Sequence, residues 1–432
     1  MSIDPDGASA QDLRYAWFVA AVLMACNTLS FIDRQILGLL VTPIKLELGI
    51  SDTRIGLLQG LAFGVFYTLL GIPMGRIADH GSRRLLVAAG VLGWSLMTSL
   101  CAAARSFTGL FLARMGVGIG EATLSPAAFS LLSDCFPRGR LASALSVFSM
   151  GVFFGSGLAL ILGGLIIGAV GSWRLTFLIV GLPGLLIALL ALLIREPRRR
   201  GLLRTSSGAA QALRLADVVR EARLRIWSVV GICLGFAAQA LCNYAQQAWL
   251  ATYFVRVHGW SLRQAGVTLG TMSLVTGLAG AWVGGRLADR WQRHGVVEGP
   301  LRVAVLATLS AGLTFTLALV LPALGAQLAL LVPAFFFLAM PIGCGYASLQ
   351  LILPNQVRGQ IGALQVFALN LGGLILGPAL PGLLNDYVFR DGQRIGWSLA
   401  ITVGTASLVS ATLFFATWRP YRRDYALVHG EA

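Results

Sequence analysis

The decapeptide GRIADHGSRR, residues 75–84, returns 210 positions later as GRLADRWQRH, residues 285–294, with the Gly, Arg, Ala, Asp and late Arg in common. A second pair of stretches echoes as well, PRGRLASALSVF at 137–148 and VRGQIGALQVF at 357–367. Each decapeptide follows the second apolar run of its half of the chain. Two such matches in one sequence indicate an internal repeat, and so two structurally equivalent halves.

The surroundings of the repeats say what kind of half this is. Of 432 residues, 56% are hydrophobic and only 12% charged, where a soluble chain carries about 25% charged residues. The 52 glycines suit close-packed membrane helices. Apolar segments long enough to cross ~30 Å of hydrocarbon fall at about 15–42, 52–77, 84–104, 107–132, 141–170 and 174–194. After one polar interval they resume at about 226–255, 262–286, 301–321, 327–353, 359–384 and 395–417. The expected fold is all-α and integral to the membrane, with twelve transmembrane helices in two pseudo-symmetric six-helix bundles. The bundles span residues 1–196 and 226–432, the second with a cytoplasmic tail. Between them lies a basic cytoplasmic linker, 197–225, whose Leu213, Leu215, Val218, Val219 and Leu224 alternate with arginines. That pattern fits an amphipathic helix lying on a surface and equally a solvated basic connection.

Charge sets the orientation. The net charge is +15, and of 33 basic residues 23 fall in the segments that lie inside if the N-terminus is inside, 8 outside and two within spans. This bias places both termini in the cytoplasm of a cell-membrane protein. A nucleic-acid partner is not expected, because Lys45 is the lone lysine and the arginines form no stripe with aromatics. The six cysteines lie in or beside apolar spans without paired spacing, and the four histidines lie in loops or the tail. No metal site, cofactor or disulfide framework is expected. Residues 1–14 lack the basic start of a signal peptide. A monomer is expected.

Four ionisable residues stand inside the spans, all in the first half: Asp33 and Arg34 in SFIDRQILG, and Arg114 and Glu121. Such charges cost several kcal/mol unless paired or facing water. Arg114 and Glu121 are seven positions apart, so they share one helix face. Buried ion networks are poor stabilisers, and membrane proteins keep them chiefly for substrate or proton traffic. An anionic headgroup reaching Arg34 and Arg114 competes with Asp33 and Glu121 for those arginines, and the released carboxylates can take up protons. The second half offers neutral polar groups instead, including Asn243, Gln246, Tyr346 and Asn370, able to bond a substrate hydroxyl or amide.

GRIADHGSRR resembles the signature loop between helices 2 and 3 of the major facilitator superfamily, with Ser82 where glycine is usual. RMGVGIGEA (114–122) resembles its helix-4 signature, and SWRLTFLIVGLPG (172–184) its entry to helix 6. The resemblance extends over essentially the whole length. It implies a conformational latch at Gly75, Asp79 and Arg83, with Asp79 against the start of helix 11 and Arg138 or Arg140 nearby; Asp289 plays the mirrored part. FIDRQILG with Arg114 and Glu121 looks like the spinster branch, whose members export lysolipids and sphingosine-phosphate-type lipids. The likeness implies that Asp33 and Glu121 couple protons and that Arg34 and Arg114 bind substrate.

The leading expectation is a proton-linked secondary transporter of an amphipathic anionic or zwitterionic molecule, working by alternating access. Alternatives within transport are a proton-coupled small organic-anion symporter and a multidrug–proton antiporter. An enzyme is not expected, since there is no nucleophile–base pair or metal spacing in the spans. ATP use lacks its glycine-rich phosphate loop.

Overall fold

Hydrocarbon offers the backbone no hydrogen bonds, so a chain this apolar must satisfy its peptide groups along itself. The computed structural model, which describes residues 10–197, 215–354 and 357–429, is helical accordingly, with no strand among those residues. Among the described residues, twelve helices are long and apolar enough to cross a membrane. Before the linker come α1 (Leu13–Leu39), α2 (Asp52–His80), α3 (Arg83–Cys101), α4 (Phe107–Cys135), α5 (Ser143–Val170) and α6 (Trp173–Leu192). After it come α7 (Ile226–Val257), α8 (Leu262–Arg293), α9 (Gly299–Val320), α10 (Leu324–Leu351), α11 (Gln360–Phe389) and α12 (Gly392–Val428). Leu69, Ile72, Leu112, Leu186 and Leu408 stand on outward faces, as lipid-facing side chains do.

Contacts divide the chain into two units. Unit 1 holds Met1–Arg204 and His258–Thr271, and unit 2 holds Thr205–Val257 and Met272–Ala432. Within unit 1, α1 runs along α5. Gly151 permits that approach, since a Cβ there would stand 2.8 Å from the Met24 carbonyl oxygen. The first turns of α8 rest on α5 through Gly266 and Leu160. Within unit 2, α7 and α9 each pack on α12, and α7 also packs on α11. Ile232, Phe236, Leu301, Phe414 and Tyr421 belong to its core.

The two copies of the repeat fold differently. In the first, the helix stops at His80; Ser82 caps α3, its hydroxyl accepting from the Leu85 amide. A serine in place of glycine thus acts as an N-cap, a role glycine fills less well. In the second, α8 runs on to Arg293, beyond the expected end near 286, and stops at Gly295 with φ of 80°. Arg290 and Arg293 in the last turn suit the negative end of the helix. The segment expected as a tail after 417 continues α12 as helix to His429.

Residues 198–214 of the linker lie outside the described residues. Its end is a helix, Leu215–Leu224, which rests on α7 and the start of α11. In α11, two stretches, Asn370–Ile375 and Leu384–Phe389, take the wider π pitch on either side of Pro378 and Pro381. Each proline removes an N–H from the ladder, and the Trp249 indole donates to the Pro378 carbonyl at 2.8 Å. Nothing in the apolar pattern of 359–384 announces this shift of pitch.

Candidate substrate and proton site

The glycines of RMGVGIGEA set the site's depth. A Cβ on Gly118 would stand 2.6 Å from the Phe63 carbonyl oxygen of α2, and one on Gly120 would stand 2.8 Å from the Trp94 nitrogen of α3. α4 is therefore pressed into the space between α2 and α3, which carries Arg114 and Glu121 to α1. Arg114, Glu121 and Asp33 are each no more than 1% exposed.

The four charges meet, in a particular pairing. Ser30 and Arg34, one turn apart on α1, both reach Glu121 Oε2: the hydroxyl at 2.5 Å and Arg34 Nε at 2.6 Å. The Arg34 guanidinium also lies over the rings of Phe31 at 4.7 Å, Phe63 at 4.7 Å and Tyr67 at 4.4 Å. Such stacking holds a cation against apolar walls. Arg114 takes the backbone of Asp33, not its carboxylate, with Nη1 donating to the carbonyl at 3.0 Å. Neither carboxylate oxygen of Asp33 accepts a hydrogen bond, although Trp94 and Thr98 of α3 are its polar neighbours. Glu121 Oε1, Arg114 Nε, Trp94 Nε1 and Thr98 Oγ1 are likewise without partners. Most buried polar groups in proteins are satisfied; here unused capacity is concentrated on α1, α3 and α4.

The residues expected to form a latch have varied surroundings. Gly75 makes no tight contact: a Cβ there would meet Pro126 Cβ at an ordinary 3.9 Å. The close glycine contacts of this half fall on α3, α4, α5 and α6 instead, at Gly90, Gly118, Gly151 and Gly184 among others. Asp79 and Asp289 are exposed. The side chain of Arg138 lies outside the described residues. Arg83 is fully buried; it binds Asp134, Glu196 at 2.7 Å, Ser130 Oγ at 3.0 Å and the Pro197 carbonyl at 3.0 Å. It thereby ties the start of α3 to the end of α4 and the stretch after α6. Burial pushes the Glu196 carboxyl up, but donors from Arg83, Arg84 and Ser82 outweigh it and leave the group below its usual range.

Among the neutral groups of unit 2, Asn243 is partly spent on helix packing, its amide donating to the Leu338 carbonyl of α10 at 3.3 Å beside Gln239 at 2.8 Å. Gln246 is buried, Tyr346 is half exposed and Asn370 opens the first π stretch. Several contributors escaped the sequence reading. Ser30, Trp94 and Thr98 border the buried charges; Ser30 was signalled by its spacing of four from Arg34, whereas Trp94 and Thr98, on a helix that carries none of the four charges, had no such signal. Asp134 and Glu196, the acids that hold Arg83, carried no such signal. At the other end of unit 1, Glu47 accepts from the Trp173 indole at 2.5 Å and from Arg174 Nη2 at 2.7 Å. Hydrogen bonds from Arg174 and then Trp173 hold its carboxyl below the usual range. The SWR of SWRLTF is a clasp.

Comparison with known proteins agrees with this architecture. The profile of the Major Facilitator Superfamily matches residues 23–377. An MFS-type efflux pump of Mycolicibacterium smegmatis is 31% identical, over 98% of this chain and 97% of that one. Protein spinster homolog 3 of Homo sapiens is 29% identical, over 86% of this chain and 75% of that one. A crystal structure of a bacterial homolog of the human lysosomal transporter spinster, inward-facing and unoccupied, matches with a TM-score of 0.82 at 26% identity. The match covers 95% of this chain and 98% of that one.

Proposed function

The chain belongs to the major facilitator superfamily and is a multi-pass membrane transporter, and from that premise we propose that it moves an amphipathic anionic or zwitterionic molecule of the lysolipid or sphingosine-phosphate kind, driven by protons. The reading rests on one observation above others: Arg34 is bridged to Glu121 while Asp33, equally deep, holds no ion pair. An anionic headgroup that draws Arg34 from Glu121 leaves a second carboxylate without its partner beside the first. Two neighbouring carboxylates in a dry site do not both keep charge, so headgroup arrival and proton uptake are tied together. Asp33 and Glu121 are the proton-exchanging groups, and Arg34 and Arg114 the headgroup ligands. Asn243, Gln246, Tyr346 and Asn370 supply neutral contacts from the second half.

Alternating access then follows from rocking of a bundle of residues 1–196 against one of 226–432, joined by the 197–225 linker. Gly75, Asp79, Arg83, Arg138 and Asp289 act as the cytoplasmic latch. Both termini face the cytoplasm, as the arginine distribution requires, and the working unit is a monomer. In proteoliposomes, uptake of a fluorescent lysolipid is expected to follow an imposed pH gradient and to stop when an ionophore collapses it. Gradient-independent uptake would refute the coupling.

A second reading has its own support. Phe31, Phe63 and Tyr67 form a cage that now holds a guanidinium and would accept an organic cation if Arg34 withdrew, and a similar protein is an efflux pump. Thermal stabilisation by cationic dyes, and not by lysolipids, would favour proton–drug antiport.

A further inference from the structure

The last turns of α8 carry a stripe with no role in the site just described. Trp282, Arg286, Arg290 and Arg293 follow one another at spacings of four, four and three, which is one helix face. With Asp289, Gln292, Leu351 at the end of α10 and Tyr425 near the end of α12, the three arginines line an open cleft of about 940 Å³ within unit 2. The cleft holds three guanidinium groups against one carboxylate.

Other acids at this end of unit 2 whose side chains are described are committed elsewhere. Glu298 holds Arg302 and Arg422, Asp424 holds Arg423, and Glu221 holds Arg225. No carboxylate pairs with Arg286, Arg290 or Arg293 among the described residues. Arg286 is instead stacked on Trp282, its Cζ 3.7 Å from the ring centroid, and Trp282 is 59% exposed. An exposed tryptophan at the end of a spanning helix sits at headgroup level, so the cleft opens where lipid phosphates lie. Guanidinium groups bind phosphate oxygens through paired, directional donors.

We propose that this cleft is a binding site for the phosphate of an anionic phospholipid, independent of the transported molecule. Arg290 and Arg293 take the phosphate oxygens, Arg286 is oriented by Trp282, and the acyl chains lie along the apolar outer face of α8 toward Val275, itself 62% exposed.

The test uses the full chain in detergent micelles, read by native mass spectrometry and by thermal melting. Dioleoylphosphatidylglycerol is expected to remain bound and to raise the melting midpoint, and dioleoylphosphatidylcholine to do neither. R286Q/R290Q/R293Q should lose about 100-fold in affinity, at about fivefold per arginine. R220Q/R223Q, which removes two exposed arginines of the linker helix, should keep the wild-type affinity. Equal phosphatidylglycerol binding by wild type and the triple variant overturns the proposal, as does an equal loss in R220Q/R223Q, which would mean diffuse attraction. Millimolar inorganic phosphate giving the same stabilisation overturns the lipid assignment in favour of a soluble anion. Should the triple variant fail to fold, R293Q alone, at the cleft edge, is expected to weaken binding about fivefold, and unchanged affinity there counts against the site.

Discussion

Glu121 in unit 1 and Glu298 in unit 2 are both nearly inaccessible glutamates that hold arginine, yet they are set in opposite surroundings. Glu121 lies within a span, bound by Arg34 and Ser30 through one oxygen, with the other oxygen unused. Glu298 lies at the start of α9, and two arginines from α9 and α12 occupy both its oxygens. Those arginine side chains are 37% and 55% exposed. The first arrangement leaves capacity for a proton or a ligand; the second uses its capacity to join two helices. Under the proposed function, similar residue types serve movement in one place and cohesion in the other, and the difference is what remains unsatisfied.

The comparison breaks most visibly at Glu121. Replacing it with Gln keeps the shape and removes the ability to change charge. E121Q is expected to abolish pH-gradient-driven uptake while the purified protein still elutes as one folded species and still binds substrate. Retained gradient-driven uptake would reduce Glu121 to a cousin of Glu298.

Arg34 comes next. Losing a charge-assisted hydrogen bond to an anionic headgroup costs about 10- to 100-fold in affinity, so R34Q should weaken lysolipid binding by that much in a fluorescence titration. A folded R34Q with wild-type affinity would show that the guanidinium serves only its rings and its glutamate.

How much of this was readable beforehand differs between the two regions. The spans, the internal repeat and the four buried charges stand out because hydrocarbon tolerates so little that every exception is visible in a string of letters. The pairing inside the cluster did not, because Arg114 chooses the Asp33 carbonyl over its carboxylate, and a backbone acceptor leaves no mark in sequence. Asp134 and Glu196 passed unnoticed because inner acids carry little topological information, and only three-dimensional proximity reveals that Arg83 needs both. The two copies of the decapeptide look alike and fold apart, because Gly81–Ser82 ends one helix where Trp291 and Gln292 continue the other. The π stretches of α11 depend on how Pro378 and Pro381 are accommodated by neighbours, which no local pattern encodes.

A smaller effect tests whether the charged site depends on the wedge that delivers it. Gly118→Ala adds a methyl 2.6 Å from the Phe63 carbonyl oxygen, too close for α4 to stay where it is. Overpacking of this kind costs about 1–3 kcal/mol. A lowered melting midpoint together with slower transport is expected, since Phe63 also supports Arg34. An unchanged midpoint would show that α4 has room to shift.

Glu298 gives the mildest and most diagnostic result, because its effect should depend on pH in a fixed direction. Hydrogen bonds from Arg422 draw its carboxyl from 4.5 to about 2. A group with a depressed folded-state pKa adds stability that is present above its unfolded value and disappears as pH falls through the folded one. Because both arginine partners reach water, the contribution is discounted to about 1 kcal/mol. E298Q should therefore melt slightly below wild type at pH 7, and the gap should close as pH falls from about 4.5 to about 2. Gradient-driven uptake by E298Q at neutral pH is expected to match wild type. A variant that melts normally but loses proton coupling would give unit 2 a working carboxylate too, and the division of labour between the two glutamates would fail.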